Sequence, residues 1–267
     1  HAWTGGSVSP TNTENTTFNN LTPGDYVLTY TVTDDNSCQG TDNITVTVNG
    51  NPTALISPNP AEVCAGIDLV MNGTPAGGSG TYTTHAWTGG SVSPTNTENT
   101  TFNNSTPNDY VLTYTVTDDN GCIGTDDVTV TVNPIPAMNT PGNILVCPTQ
   151  NINVDDFISV PGAATFDWTN SNTNIGLVGT GSGNIATYAA PANTTGAAIT
   201  GDIQVTPELN NCSGTPVNFT ITINPTPVVN PITDLTTCGV NVDPVAFTSA
   251  PAGATFTWTN NNAGTGL

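Results

Sequence analysis

The sequence predicts an all-β chain built as a string of small two-sheet sandwiches, and three observations predict it. Wherever apolar residues cluster they alternate with Thr, Asn and Ser at period two, and no segment carries a helical period. Residues 1–49 return as residues 85–133 at an offset of 84, changed only at Leu21/Ser105, Gly24/Asn108, Ser37/Gly121, Gln39/Ile123, Asn43/Asp127 and Ile44/Val128. One tryptophan stands at a corresponding place in each of four stretches: Trp3, Trp87, Trp168 and Trp258. A unit copied so faithfully serves as a spacer or a multiplied surface, because an active site gains little from serial duplication.

The elements follow in chain order within the second copy, residues 50–133. Strand A is expected near Ala54–Ser57 and strand B near Ile67–Asn72, where Ile67, Leu69 and Met71 alternate with Asp68, Val70 and Asn72. Gly77-Gly-Ser-Gly80 breaks the chain before strand C, near Tyr82–Thr88, which carries Trp87. Strand E is placed near Thr100–Asn103, with a weak extra strand between C and E. Strand F places Tyr110, Leu112, Tyr114 and Val116 on one face, and strand G alternates Val128, Val130 and Val132 with Thr129 and Thr131. Asp118-Asp-Asn-Gly121 between them is a turn cluster, so F and G form a hairpin. About seven short strands around a central tryptophan make an immunoglobulin-like sandwich, and Tyr26 and Tyr110 sit where a tyrosine corner belongs.

The same plan divides the whole chain. Residues 1–49 form partial repeat 1, strands C to G; 50–133 form complete repeat 2. Residues 134–224 form a diverged but complete repeat 3, and 225–267 form partial repeat 4, strands A to C. Repeat 3 is marked by Cys147, by Phe166 and Trp168 on strand C, by Ile203 and Val205 on strand F, and by Phe219, Ile221 and Ile223 on strand G. The joints Asn49-Gly-Asn-Pro52, Asn133-Pro-Ile-Pro136 and Asn224-Pro-Thr-Pro227 are short and Pro-rich, which restricts their bending and favours an extended rod. The opening at His1, in the middle of a unit and without Met, is expected of a window cut from something longer.

Charge excludes several classes. There is no Lys or Arg against 20 Asp plus Glu, a formal net charge of −20. Nucleic acid and anionic membrane surfaces both demand cations, so neither is a partner. Lys–Asn isopeptide cross-links are impossible and trypsin-like proteases have no site. Charged residues are only 7% of the chain, so the polar surface is Thr, Asn, Ser and Gly rather than a solvating acidic coat. No apolar run reaches membrane-spanning length, so no membrane insertion is expected of this segment.

Cys64-Ala-Gly, Gly-Ser-Gly-Thr-Tyr82, Ala-Trp87, the run from Tyr110 to Asp118 with Asn-Gly-Cys122, and the closing Val-Thr-Val-Thr-Val132 together resemble the PKD-like and Ig-like tandem repeats of large secreted surface proteins of Bacteroidetes. The resemblance is strong in repeats 1 and 2 and looser in 3 and 4. It implies stalks of adhesins, gliding filaments or secreted polysaccharide-degrading enzymes, often exported by type IX secretion. Thr88-Gly-Gly stands where the general PKD pattern has Asp-Phe-Gly-Asp-Gly, so no role of that acidic turn carries over.

Candidate chemistry centres on cysteines and paired acids. Cys64 and Cys147 precede strand B, and Cys122 and Cys212 lie in F–G turns; Cys38 and Cys238 belong to the partial repeats. No Cys/His cluster has zinc-ligand spacing, which points to structural disulfides in an oxidising compartment. Each complete repeat carries its own complementary pair, which favours bridges within repeats. The opposite-end placement of these turns in a seven-strand sandwich speaks for bridges between repeats instead, with Cys64 meeting Cys212.

The acids Asp34, Asp35 and Asp42, repeated as Asp118, Asp119, Asp126 and Asp127, gather hard oxygens without a cation nearby, so calcium is a candidate ligand beside ordinary turn capping. No other cofactor is required. Adjacent acids on a strand point to opposite faces, which denies the paired geometry of a glycosidase. His1 and His85 are one repeat position beside the core tryptophan, not a catalytic pair. Trp3, Trp87, Trp168 and Trp258 are core residues before they are sugar-stacking platforms. The Asn-x-Ser/Thr sequons follow from a Thr/Asn-rich composition.

The expected function is therefore a non-enzymatic, extracellular cell-surface segment of a filament or adhesin stalk. Its partners are the preceding and following repeats of the same long chain, with lateral self-association and an unknown tip ligand. The alternative is a set of accessory or carbohydrate-binding modules attached to a secreted polysaccharide-degrading enzyme. A third arrangement, repeat 4 of one copy completing repeat 1 of another, is opposed by the presence of strand C in both.

Overall fold

A computed structural model describes residues 1–236, 238 and 245–262. The chain divides into two compact units, His1–Asn133 and Pro134–Leu267. Among the described residues the regular structure is strand throughout, apart from one short 3-10 turn at Thr173–Ile175.

Unit 1 begins with β1 (Ala2–Thr4), the short pair β2 (Val8–Ser9) and β3 (Thr17–Phe18), and the hairpin β4 (Gly24–Thr33) and β5 (Gln39–Val48). These make one sheet in the order β1-β4-β5, with β2 against β3. There follow β6 (Pro52–Ser57), β7 (Ala61–Cys64), β8 (Leu69–Gly77), β9 (Tyr82–Thr88), β10 (Val92–Ser93), β11 (Asn99–Phe102), β12 (Asn108–Asp118) and β13 (Ile123–Asn133). They build two four-stranded sheets, β10-β11-β8-β6 and β7-β13-β12-β9. This is a tandem Ig-like β-sandwich architecture, as the alternation demanded.

The register explains the core. In β12, Leu112, Tyr114 and Val116 point inward and are fully buried, while Val111 just before them is exposed and Thr113 and Thr115 between them are half-buried, so period-two alternation maps onto inside and outside. They meet Val128 and Val130 of β13, Met71 of β8, Phe102 of β11 and Trp87 of β9. The Trp87 ring lies 4.8 Å from the Tyr114 ring, and its indole N–H donates to the Thr97 and Glu98 carbonyls. Gly73 is required opposite: a Cβ there would stand 2.4 Å from Cζ of Tyr114. At the other end of β12 the Tyr110 hydroxyl donates to the Thr106 carbonyl four residues upstream at 2.9 Å, and Tyr26 does the same to Thr22, so both tyrosine corners form.

One strand was not foreseen. Strand A is split: β6 pairs antiparallel with β8, and then Pro58 and Pro60, which lack N–H donors, interrupt that ladder. The chain crosses to the other sheet as β7 and pairs parallel with β13, setting Val63 against Val132 and Cys64 against Asn133.

Unit 2 contains β14 (Ala137–Met138), β15 (Ile144–Val146), β16 (Asn151–Ile152), β17 (Ser159–Val160), β18 (Thr165–Asn170), β19 (Thr180–Ser182), β20 (Tyr188–Ala189), β21 (Ile199–Leu209), β22 (Cys212–Ser213) and β23 (Val217–Ile223). Its main sheet runs β15-β23-β21-β18-β19, and β15 again pairs parallel with the last strand, Val146 against Ile223. Trp168, Ile203, Val205, Phe219, Ile221 and Ile223 share one core. Beyond it, β24 (Val228–Val229) pairs with β25 (Ser249–Ala250).

The tryptophans correct one expectation. Trp87 and Trp168 are buried in the cores of repeats 2 and 3, but Trp3 is only half-buried and Trp258 is 59% exposed. Neither partial repeat sets a complete facing sheet against its tryptophan among the described residues, so the indole keeps one side open.

Candidate functional site

The F–G turn carries three of the residues that chemistry singled out, Asp118, Asp119 and Cys122. Asp118 closes β12 and is 1% exposed, although the Asp-Asp-Asn-Gly cluster reads as a solvated turn. Its Oδ1 accepts the N–H groups of Asn120 (3.1 Å) and Cys122 (2.8 Å), and its Oδ2 accepts that of Ser79 at 3.0 Å. Three backbone donors replace the water and the cation that a buried carboxylate otherwise needs. The Asp118 N–H in turn donates to the Cys122 carbonyl, closing the turn on itself. In repeat 1, Asp34 accepts from Asn36 and Cys38 in the same way but is exposed.

The remaining acids diverge. Asp126 takes the Ile56 N–H at 2.9 Å and ties β13 to the edge of the facing sheet, whereas Asp127 accepts the Thr113 hydroxyl at 2.6 Å on the outer face. Asp42 accepts the Asn43 N–H, and the Asp119 N–H donates to the Thr81 carbonyl. Asp35 is exposed. Among the described residues no three His, Cys, Asp or Glu side chains converge as a metal ion requires, so the acids expected to gather at the hairpin are not brought together.

His85 is committed to the core: its Nδ1 lies 2.6 Å from the Tyr114 hydroxyl and its ring stacks on the Tyr114 ring. His1 and Tyr30 repeat the pairing. Burial, with Glu98 and Tyr82 adding to it, pushes the Tyr114 hydroxyl up to about 12. Burial also raises that of Tyr188.

The cysteines overturn the preference for bridges inside each repeat. Cys64 and Cys212 each lie in a disulfide, whereas Cys122 and Cys147, like Cys38 and Cys238, carry free thiols. The geometry of each repeat gives the reason. Cys64 sits against Asn133 at one end of β13, and Cys122 precedes Ile123 at the other. A strand of that length separates them by roughly 35 Å, against the ~4.4–6.8 Å between Cα atoms that a bridge spans. In repeat 3, Cys147 follows the Val146–Ile223 pair, and Ile223 faces Ile199 at one end of β21; Cys212 faces Leu209 at the other end.

A shallow hollow near 420 Å³ opens on the outer face of repeat 3, lined by Asp167, Thr169, Gln204 and Thr206 with the edge of Trp168. The Trp168 ring lies under Gly181, where a Cβ would come 2.2 Å from it, and it offers no exposed face for stacking on a sugar.

Fold and site together define an Ig-like repeat protein. Residues 2–48 and 65–132, less than half of the chain, match the family model described as K319L-like, PKD domain. No curated protein matches the chain. Similar solved structures include the fibronectin(III)-like modules of Clostridium thermocellum CbhA, 14% identical over 65% of this chain and 95% of that one, TM-score 0.34. The insect immune protein hemolin is 12% identical over 84% and 67%, TM-score 0.36. Drosophila N-cadherin EC1-4 is 11% identical over 76% and 58%, TM-score 0.34. Likenesses at this level say nothing of what the chain binds. No helix among the described residues is long and apolar enough to cross a membrane.

Proposed function

We propose that this chain is a segment of a long extracellular stalk, a run of Ig/PKD-like sandwiches that holds a distal part of a surface filament or adhesin away from the cell. The observation that carries the proposal is what the duplication preserves. Leu112, Tyr114, Val116, Trp87 and Phe102, all buried, recur without change as Leu28, Tyr30, Val32, Trp3 and Phe18. Drift falls on positions such as Leu21 and Ile123, both exposed; the one change at a position buried in repeat 2, Ile44 to Val128, is conservative. Selection that keeps the scaffold and lets the outer surface vary is what a spacer experiences. Repeats 2 and 3 also close their last strand with the same parallel pairing, β7 on β13 and β15 on β23.

Electron microscopy of the chain tests the proposal. A stalk gives elongated particles with a contour of about 40 Å per complete repeat, set by strands of this length plus their end loops. Compact particles overturn it. The alternative, accessory modules beside a secreted polysaccharide-degrading enzyme, is supported instead if the chain binds a neutral polysaccharide.

A further inference from the structure

Tension along a chain of repeats enters each repeat at its first strand and leaves at its last, so whatever joins those two strands carries the load. In repeat 2 the entry at Pro52 leads into β6 and, past Pro58 and Pro60, into β7; the exit is Asn133, the last residue of β13. β7 lies parallel to β13, from Ala61 against Val130 to Cys64 against Asn133. Parallel strands pulled at the start of one and the end of the other slide lengthwise, so the bonds between them are loaded together. An antiparallel hairpin pulled at its two ends opens one bond at a time instead. The Ala65 N–H donates to the Asn133 carbonyl at 2.9 Å. Successive N–H groups of a strand point to opposite sides, so the Val63 N–H shares the side of Ala65 and the Glu62 N–H points away from β13.

Repeat 3 reaches the same arrangement with a different sequence. β15 lies parallel to β23, from Ile144 against Ile221 to Val146 against Ile223, and the Asn224 N–H donates to the Val146 carbonyl at 2.9 Å. One residue before β15, the side-chain oxygen of the exposed Asn143 accepts the Thr220 N–H at 2.9 Å and carries the ladder a step beyond the strand. Leu145 of β15 is exposed and Ile144 and Val146 are only half-buried, so backbone bonds contribute much of what holds this strand to the sheet.

We propose that the two parallel pairs are mechanical clamps: β7 on β13 and β15 on β23 set how fast repeats 2 and 3 open when the chain is pulled along its length, out of proportion to their share of stability toward denaturant. Forced opening is governed by the unfolding rate, not by the equilibrium stability, which allows the two to separate. The inference rests on the stalk reading for the load but not for the geometry. Compact particles would remove the load and leave the force measurement standing, whereas a failed force measurement removes the clamp and leaves an elongated stalk.

The experiment stretches single molecules of the full chain from its two ends at constant force, in reductant so that no disulfide shortens the extension. Repeats 2 and 3 are read as the two longest releases, roughly 250–290 Å each at about 3.6 Å per residue less the folded length. Val63→Pro removes a clamp N–H, Val63→Ala trims the side chain but keeps that N–H, and Glu62→Pro places the same ring where the N–H faces away. Repeat 2 is expected to open roughly five- to tenfold faster in Val63→Pro than in Val63→Ala, the effect of about one ladder bond. Glu62→Pro is expected to open at the unsubstituted rate. Asn143→Ala, at an exposed position, tests repeat 3 whether or not Val63→Pro folds; it is expected to speed the opening of repeat 3 alone while its urea midpoint barely moves. An unchanged opening rate in Asn143→Ala overturns the proposal, as does equal opening of Val63→Pro and Glu62→Pro. So do opening rates that simply follow each variant's stability in urea.

Discussion

Val32 and Val116 hold the same position in two copies of one sequence, yet Val32 is 39% exposed and Val116 is completely buried. Ile44 and Val128 repeat the contrast at 55% and 3%. The outward residues Val27 and Val111 are exposed alike, so the backbone register is shared and only the inward face differs. What differs is β6 and β8, which cover this face in repeat 2; among the described residues β3 stands where β11 does, and no strand stands over β4 and β5 where β6 and β8 do. The sandwich interior is thus made by the second sheet, not by the sequence of the hairpin alone.

That contrast predicts unequal costs for equal substitutions. Val116→Ala removes buried carbon and leaves a void, costing roughly 2 kcal/mol. Val32→Ala, on a half-open face, is expected to cost less than about 0.5 kcal/mol. Urea unfolding of the two variants, followed by tryptophan emission, gives both values.

The two turn aspartates predict a similar asymmetry. Asp118→Asn replaces one acceptor oxygen with a donor and leaves either the Ser79 or the Asn120 and Cys122 N–H groups poorly paired in a buried place, a loss of about 1–3 kcal/mol. Asp34→Asn keeps the single oxygen that Asn36 and Cys38 use and is expected to be almost neutral. Thermal melts at pH 7 separate the two outcomes.

Tyr114 predicts an alkaline limit. Its hydroxyl is held up to about 12 in the fold against 10.0 for a free tyrosine. Below pH 10 both states are protonated and its contribution is intact; between pH 10 and 12 the unfolded chain loses the proton first, so stability falls as pH rises. Tyr114→Phe loses the contact with His85 but is expected to flatten this part of the profile, as a pH series of melting temperatures measures.

Much of this architecture was legible because alternation is a direct image of a two-faced strand. Tyr110 to Val116 and Val128 to Val132 announced both the hairpin and its inward face, and Tyr26 and Tyr110 announced their corners. The parallel strand β7 was not legible: Ala61–Cys64 is too short to show a period, and its partner lies far along the chain at Val130–Asn133. The burial of Asp118 was hidden for a related reason. Its third donor, Ser79, comes from the turn between β8 and β9, so a cluster that locally spells an exposed turn is closed over by tertiary structure. Trp258 shows the converse, a core residue type left open where no complete sheet faces it among the described residues.

Every member of the repeat 2 core lies between Ala54 and Val132, so that repeat is expected to be stable by itself. The most direct measurement is urea unfolding of residues 50–133 with C64S, monitored by Trp87 emission and far-ultraviolet circular dichroism. A single cooperative transition, with both signals coincident and a buried, blue-shifted indole in water, is the predicted result. A fragment without cooperative unfolding, or with Trp87 in contact with water before denaturant is added, contradicts the account of self-contained sandwiches in series.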